Sequence, residues 1–441
     1  MKSNKTGLSF MLFGLCSLWA GLAVGCIGAF QFIWPELFEW LPFFKSRPLH
    51  VALVVAWIFM TAIGGIYHYL PAHCGVPLFS RQLPKWHLGI FLGTGLIILF
   101  SYAYGKFGGR EYWEFPPILA IPILLSWLLF GYNYFRSLFN VRKWPVYYWM
   151  WGTGILFFFI SYLEANAWIF PYVRGNLVRE ITLQWKSYGA LVGSWNMLVY
   201  GTSILVMEKV SGNGSIAHSR ISFLLYFLGF ANLLFGWAHH TYIVPAAPWV
   251  KFVAYAVSMT ELLILGRIIW QWRSSLDHAK LHLHRLPVVF LTAADVWVFI
   301  NLTLALLISV PAINVYTHGT HITVAHAMGS TIGINTMILM ASVCFVLWPA
   351  KAVDNVRPIP LMVGFWSVNV SLFVFFVCLV AAGILKGKMT IIDQLPHHTI
   401  MERITPFLIG FGSAGVGLLI GFSLILAPTV WQMFKRVRSE R

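Results

Sequence analysis

The feature that most constrains this chain is a series of long apolar runs. About 18 to 25 apolar residues are enough to cross the hydrocarbon core of a bilayer as a helix. The sequence contains about twelve such runs, which cover residues 8–34, 50–71, 87–105, 116–138, 146–169, 184–208, 221–244, 247–271, 286–310, 322–348, 358–385 and 403–432. Because runs of this length are typical of spanning helices rather than of barrel strands, the sequence predicts an all-α polytopic membrane protein.

The connections between these runs are short, and this limits the domain organisation. Only 10% of the residues are charged, whereas a soluble domain carries about 25%. No polar insertion is long enough for a separate soluble domain, so we expect a single transmembrane domain over residues 1–441. Lys2 and Lys5 followed by an apolar run resemble a secretory signal, but the run lacks a convincing small-residue cleavage site. An uncleaved first helix is therefore predicted.

The distribution of basic residues predicts the orientation. With the N-terminus inside, 19 of the 30 Lys and Arg residues fall on the inner side, as the positive-inside rule requires for cytoplasmic loops. Both termini are therefore expected in the cytoplasm. The net charge of +16 follows mainly from this loop bias, aided by anionic lipid, and does not indicate a nucleic-acid partner.

Four histidines are the most informative polar residues. His50 opens the second apolar run, His239 and His240 close the seventh, and His326 lies one turn into the tenth. With the predicted orientation, all four fall on the external side of the membrane. Titratable side chains at membrane depth are costly and indicate a functional site, and neutral imidazole is a common ligand of haem iron and of transition metals.

Each histidine taken alone also fits a plainer role, as an interfacial side chain that caps a helix end or bonds a neighbour. Together they favour a buried cofactor site. Met328 lies two residues after His326, about 200° away around the helix, and is either a thioether ligand of haem iron or a flexible core residue. Four of the five cysteines lie inside apolar runs, and no C-x-x-C-H motif is present, which excludes covalently attached haem.

The residues around these histidines match a known family. The chain resembles the large catalytic subunit of the bacterial nitric oxide reductases, which belong to the haem–copper oxidase superfamily as subunit I-like bundles. The matching segments, in chain order, are Arg47-Pro48-Leu49-His50, Trp237-Ala238-His239-His240, Glu261, Tyr316-Thr317-His318-Gly319-Thr320, Ala325-His326, Asp354-Asn355 and Gly364-Phe365-Trp366. The resemblance covers nearly the whole chain, and Glu261 with the Tyr316–Thr320 segment favours the nitric oxide reductase branch.

The resemblance implies a role for each of these residues. His50 would ligate a low-spin haem b, and His326 would be the proximal ligand of a high-spin haem b. His239 and His240 would hold a non-haem metal, iron or copper, facing that haem. Glu261 would lie near this metal as a proton-carrying or ligating carboxylate. His318 would lie near the haem propionates. The plainer alternative is that His318 is a solvated loop residue with no ligand.

The chain departs from the family pattern at the metal site. Met328 stands where the family has the second histidine ligand of the low-spin haem. On the sixth helix, Tyr188 stands at the position of the third non-haem metal histidine, and Val192 and Asn196 replace two glutamates. No histidine occurs between Lys186 and Lys209, so a shift of register does not restore the ligand. Because divalent iron prefers imidazoles together with a carboxylate, we expect a weakened non-haem site.

The function implied by the resemblance is reduction of nitric oxide: two NO, two electrons and two protons give N2O and water. The electron donor would be a membrane-anchored c-type cytochrome subunit or a soluble donor, and the location would be the bacterial inner membrane. Tyr188 could serve as a proton or radical donor. Two alternatives stay open, an oxygen-linked or NO dismutase-type enzyme of the same fold and a non-catalytic haem-binding subunit that carries electrons or senses NO.

Overall fold

A computed structural model of the chain shows a bundle of long helices. The structure describes residues 5–242, 244–245, 247–274, 284–348 and 359–439, except for the side chains of residues 261–264. Within these ranges, twelve helices are long and apolar enough to cross a membrane. They are α1 (Lys5–Phe30), α2 (Phe43–His73), α3 (Leu83–Ala103), α4 (Pro117–Leu138), α5 (Val146–Ile169), α6 (Leu177–Ser211), α7 (Arg220–Thr241), α8 (Pro248–Ser274), α9 (Arg285–Ser309), α10 (His321–Leu347), α11 (Ile359–Ile391) and α12 (His397–Ser439).

These helices confirm the predicted fold class, and each one overlaps one of the predicted apolar runs. The difference that matters for the site is at α2, which begins at Phe43 rather than at His50. Lys45 and Arg47 interrupt the apolar pattern, so hydropathy alone starts the run too late, whereas the backbone turns helical directly after the extended Pro42. His50 therefore lies two turns inside α2 and does not open it.

Asp354, Asn355 and the Glu261 side chain lie outside the described residues.

The tenth helix changes its pitch in the middle. It consists of an α-helix, His321–Met328, then a π-helical segment, Gly329–Thr336, and then a second α-helix, Met337–Leu347. A side chain at Gly329 would clash with α9, since an added Cβ would lie 2.4 Å from Oδ1 of Asn301. π-Helical segments are rare and often mark functional sites, and this one begins directly after Met328.

Large aromatic side chains fill the centre of the bundle. Trp57 on α2 and Trp151 on α5 are fully buried. The Trp57 indole donates to the hydroxyl of Thr336 at 3.1 Å, and the Trp151 indole donates to the Leu198 carbonyl at 3.2 Å. Because both indole N–H groups have an acceptor, the rings add apolar area without an unpaired donor. These contacts pack α2 against α10 and α5 against α6. We call the end of the bundle where α2 and α10 begin and α7 ends the histidine end.

Candidate functional site

One large cavity lies at the histidine end. Its volume is about 620 Å³, in the range of cofactor and ligand sites. The side chains of His50, His239, His240 and His326 all line it. Three helices therefore direct their imidazoles into one chamber, in agreement with the common layer that the sequence predicts. Met328, Tyr188, Val192 and Asn196 line the same cavity.

His50 is held from behind by α1. Its Nδ1 lies 2.8 Å from the carbonyl oxygen of Gly21, which can only accept, so Nδ1 carries the proton and Nε2 keeps its lone pair. The ring packs directly on Gly25, where an added Cβ would lie 2.6 Å from Nδ1. A backbone carbonyl that fixes the tautomer of an imidazole is the usual support of a metal-ligating histidine.

His326 and Met328 project from the first segment of α10. The Nδ1 atom of His326 is buried and has no hydrogen-bond partner among the described residues. The backbone of Asn301 on α9 lies close to the same imidazole ring. The thioether sulfur of Met328 lies 4.0 Å from the hydroxyl of Thr331. His326 and Met328 lie on different sides of α10, and both line the cavity.

His239 and His240 lie side by side in a 3₁₀ turn, Gly236–Thr241, that ends α7. Their Nε2 atoms are 3.0 Å apart. The ring of His240 stacks on the indole of Trp185 from α6, with centroids 4.6 Å apart and planes at 8°. His318, in the loop before α10, lies 6.1 Å from His240 between ring centroids. Burial lowers the pKa of the His318 imidazole, which favours its neutral form.

The sixth helix contributes neutral groups to the cavity. The ring of Tyr188 meets that of Tyr112 edge to face at 5.1 Å, and its hydroxyl is buried with no hydrogen-bond partner in the described part of the chain. The Oδ1 atom of Asn196 accepts from Nδ2 of Asn335 at 3.1 Å. Val192 offers only methyl groups. A helix that presents a phenol, an isopropyl group and an already bonded amide adds no charge to the site.

Arg47 and Glu111 line the cavity and form what we call its charged rim. Arg47, one turn before His50, pairs with Glu111 and, at 3.1 Å, with Glu114, both from the loop between α3 and α4. Burial raises the pKa of the Glu114 carboxyl, and the Arg47 guanidinium opposes this shift. Tyr112 lies between the two glutamates with a φ of 66°, a conformation that is rare for a residue with a side chain and often marks a functional site.

Two of these features have little signal in the sequence. Trp185 is one of many aromatic residues near span ends, and Arg47, quoted above only as part of the segment that ends at His50, is an arginine beside a bilayer; both are ordinary. A weak signal exists in the spacing of Trp185 and Val192, which are seven residues apart and so share one helix face. Only the packing of α6 against the end of α7 turns that face toward the histidine pair.

The donor groups fit a haem better than they fit a non-haem metal. An apolar chamber of ligand size with imidazoles on α2 and α10 suits haem iron with axial histidines. The 3.0 Å separation of the His239 and His240 nitrogens suits either a direct hydrogen bond or two ligands of one cation at about 2.1 Å each. No group of three His, Cys, Asp or Glu ligands is present among the described residues, so these residues do not complete a metal shell.

Comparison with known proteins defines the class. The chain matches the family described as cytochrome c and quinol oxidase polypeptide I over residues 5–432. The protein therefore belongs to this family, the subunit I family of the haem–copper oxidases, whose members generally bind haem.

The chain is similar both to a nitric oxide reductase subunit and to an oxidase subunit. The chain is 24% identical to a nitric oxide reductase subunit of Stutzerimonas stutzeri, in an alignment that covers 87% of this chain and 85% of the relative. It is 22% identical to the cbb3-type cytochrome c oxidase subunit CcoN1 of the same organism, over 93% and 91% of the two chains. A solved heme-copper terminal oxidase dimer has the same fold, with a TM-score of 0.78 over 97% of this chain and 83% of that one at 16% identity.

Proposed function

We propose that the protein is a respiratory membrane oxidoreductase that reduces nitric oxide to nitrous oxide. The observation that carries the proposal is the single cavity lined by His50, His326 and the His239–His240 pair. One chamber then contains an electron-entry ligand, a proximal ligand and a polar distal pair. The similarity to the nitric oxide reductase subunit and the segment Tyr316–Thr320 support this branch of the family.

In this proposal the cavity holds two b-type haems. His50 and Met328 hold a low-spin haem, and His326 holds a high-spin haem, which when bound would supply an iron with one open position for a gas. His50 is prepared for this role because the Gly21 carbonyl keeps its Nε2 unprotonated. In this proposal His318, beside the pair, donates a hydrogen bond to a haem propionate.

The distal side binds and orients the gas and supplies protons. The wall at Val192 is apolar, while the His239–His240 pair directs N–H or lone-pair dipoles into the chamber. We assign proton donation to Tyr188, whose buried hydroxyl has no competing acceptor among the described residues. Glu261 is the second proton carrier, a role that rests on the resemblance alone. No step is assigned to iron or copper at His239 and His240, because their shell is incomplete.

One observation favours a second function, that of a non-catalytic haem subunit that transfers electrons or senses NO. The described residues lack a third metal ligand, and α6 offers Tyr188, Val192 and Asn196 instead. A haem with an open position but no metal partner binds gases without needing to reduce them. An oxygen-linked or dismutase-type activity remains the alternative enzyme, given the similarity to the cbb3-type subunit.

The setting of the enzyme follows from the same reasoning. We propose the bacterial inner membrane with both termini in the cytoplasm, which places the histidine end outside. Electrons then arrive at His50 from a membrane-anchored c-type cytochrome or from a soluble donor that docks on the outer face, near Arg47 and Glu111. Proton supply from the same face would pass the Glu114 carboxyl, which pairs with Arg47.

Gas consumption by the purified, haem-loaded protein tests the function. With a reduced low-potential donor, we expect NO consumption with one N2O formed for every two NO, and slower O2 consumption. His239→Ala should lower NO turnover, while Lys435→Gln, at an exposed position near the end of α12, should leave it close to native. Tight NO binding with no N2O would support the non-catalytic subunit, and faster O2 than NO consumption would support the oxygen-linked enzyme.

A further inference from the structure

A face-to-face aromatic contact in the cavity joins Trp185 to His240. The indole and imidazole planes differ by 8° and their centroids are 4.6 Å apart, so the two rings are stacked. The same indole approaches His318 at 5.8 Å and 60°. His240 is thus covered on one face by Trp185, while its Nε2 lies 3.0 Å from Nε2 of His239.

The backbone of α6 is arranged to bring Trp185 there. Trp185, Gly189, Val192 and Asn196 are spaced by four, three and four residues and so share one face of the helix. Gly189 touches the end of α7, since an added Cβ would lie 2.5 Å from Cβ of Trp237 and 3.1 Å from its Cα. A larger residue at 189 would push the two helices apart and separate Trp185 from the histidine pair.

Tyr188 does not make this contact. It lies about 60° around the helix from Trp185, and its ring meets that of Tyr112 from the rim loop. Within the described residues, Trp185 is therefore the side chain through which α6 touches the pair by ring contact.

We propose that Trp185 is a positioning residue for the distal histidines, and that its stacked indole does what a third ligand from α6 would otherwise do. Two adjacent imidazoles at the end of a helix can each rotate about χ1 and χ2. A complete metal shell would fix their planes, but α6 supplies no ligand here. Face-to-face contact with the indole fixes the plane of His240, and the 3.0 Å approach of the two Nε2 atoms then fixes His239. The inference rests on the proposed function only in assigning these histidines to the gas-binding side.

Two substitutions separate stacking from volume. Trp185→Phe keeps a flat ring, and Trp185→Leu removes it. Trp149→Leu, on the lipid-exposed part of α5 and away from the cavity, is the matched control. The main readout is the infrared C–O stretch of CO on the ferrous high-spin haem, because this band broadens or splits when nearby dipoles adopt several orientations. It requires no turnover.

We expect one narrow C–O band for the native protein and for Trp149→Leu, a nearly native band for Trp185→Phe, and a broadened or split band for Trp185→Leu. NO turnover should fall roughly ten- to hundredfold in the leucine variant, as for the loss of other residues that orient a ligand. A native C–O band in Trp185→Leu would overturn the proposal, as would equal broadening in the phenylalanine and leucine variants.

A variant that fails to fold and a protein that does not reduce NO give different results. If Trp185→Leu loses its low-spin haem spectrum and so fails to fold, the phenylalanine variant decides, because a clearly altered C–O band with an aromatic ring still present contradicts positioning by stacking. If the native protein consumes no NO, the proposed function fails, but the comparison of C–O bands still decides the role of Trp185.

Discussion

The two sides of the cavity are built in different ways. On the electron-entry side, His50 is anchored through Nδ1 to a backbone carbonyl of α1, a support that does not depend on a bound group. On the distal side, His239 and His240 contact each other and Trp185, and the described residues supply no third ligand. His50 therefore has a support that belongs to the main chain, while the distal pair depends on packing.

This difference indicates which substitutions should alter haem binding and which should alter only the distal chemistry. A ligand fixed by main-chain hydrogen bonds tolerates substitutions around it, because the backbone donor or acceptor remains. A pair fixed by side-chain stacking changes with each neighbour on α6. We therefore expect substitutions at His326 and His50 to remove or disturb one haem each, and substitutions on α6 to change the chemistry while both haems stay bound.

The largest effect is expected from His326→Ala. Loss of the proximal imidazole should remove the high-spin haem, and with it the CO-binding spectrum, while the low-spin haem and the helical bundle remain. Optical spectra of the reduced protein with and without CO measure both quantities. A normal CO-binding spectrum in the variant would show that another residue holds this haem.

A double substitution on α6 tests the distal side. Tyr188→His with Val192→Glu introduces an imidazole and a carboxylate at the positions that the family resemblance assigns to ligands, so iron occupancy should rise by about tenfold or more. Because the change also removes the Tyr188 hydroxyl that we assign as proton donor, NO turnover should fall despite the added iron, whereas a rise in turnover together with iron would show that Tyr188 is not the donor. Iron per haem and NO consumption are measured together, and no change in either would show that the α6 register is wrong.

A substitution on α1 tests how His50 is held. Gly25→Ala places a methyl group against the His50 ring, which should break the Gly21 hydrogen bond, destabilise the protein by roughly 1–3 kcal/mol and alter the low-spin spectrum. Gly415→Ala is the matched control, because its Cβ would meet only Sγ of Cys26 at 3.8 Å. Equal low-spin spectra in the two variants would contradict the anchoring of His50.

The smallest expected effect concerns Met328. If its sulfur ligates the low-spin iron with His50, the oxidised protein should show a weak near-infrared sulfur-to-iron band. Met328→His should then remove that band and lower the reduction potential, because thioether ligation raises it. Redox titration of the two proteins is the measurement, and identical spectra and potentials would refute ligation by Met328.

The membrane fold was predictable because the bilayer imposes it locally: each helix needs its own apolar run, and all twelve appear in the sequence. The positions of His50, His239, His240 and His326 in one layer followed from the alternating direction of the helices. The start of α2 was missed because Lys45 and Arg47 are polar, although a helix continues beyond the hydrocarbon core.

The remaining features depend on contacts between distant segments. The π-helical segment after Met328 has no hydropathy signature, since it arises where Gly329 and Gly333 pack against α9. The stacking of Trp185 on His240 joins residues 55 positions apart in the sequence and depends on the close approach of Gly189 to Trp237. The arrangement of the distal pair could therefore not be predicted from spacing.

Haem and metal analysis of the purified protein tests the central claim most directly. If the cavity holds two haems and the distal metal shell is incomplete, as proposed, the protein should contain two haem b per chain by pyridine haemochrome. Non-haem iron and copper together should then be well below one per chain. The absence of haem would contradict the assignment of His50 and His326. A full equivalent of tightly bound non-haem metal would contradict the account of the distal side.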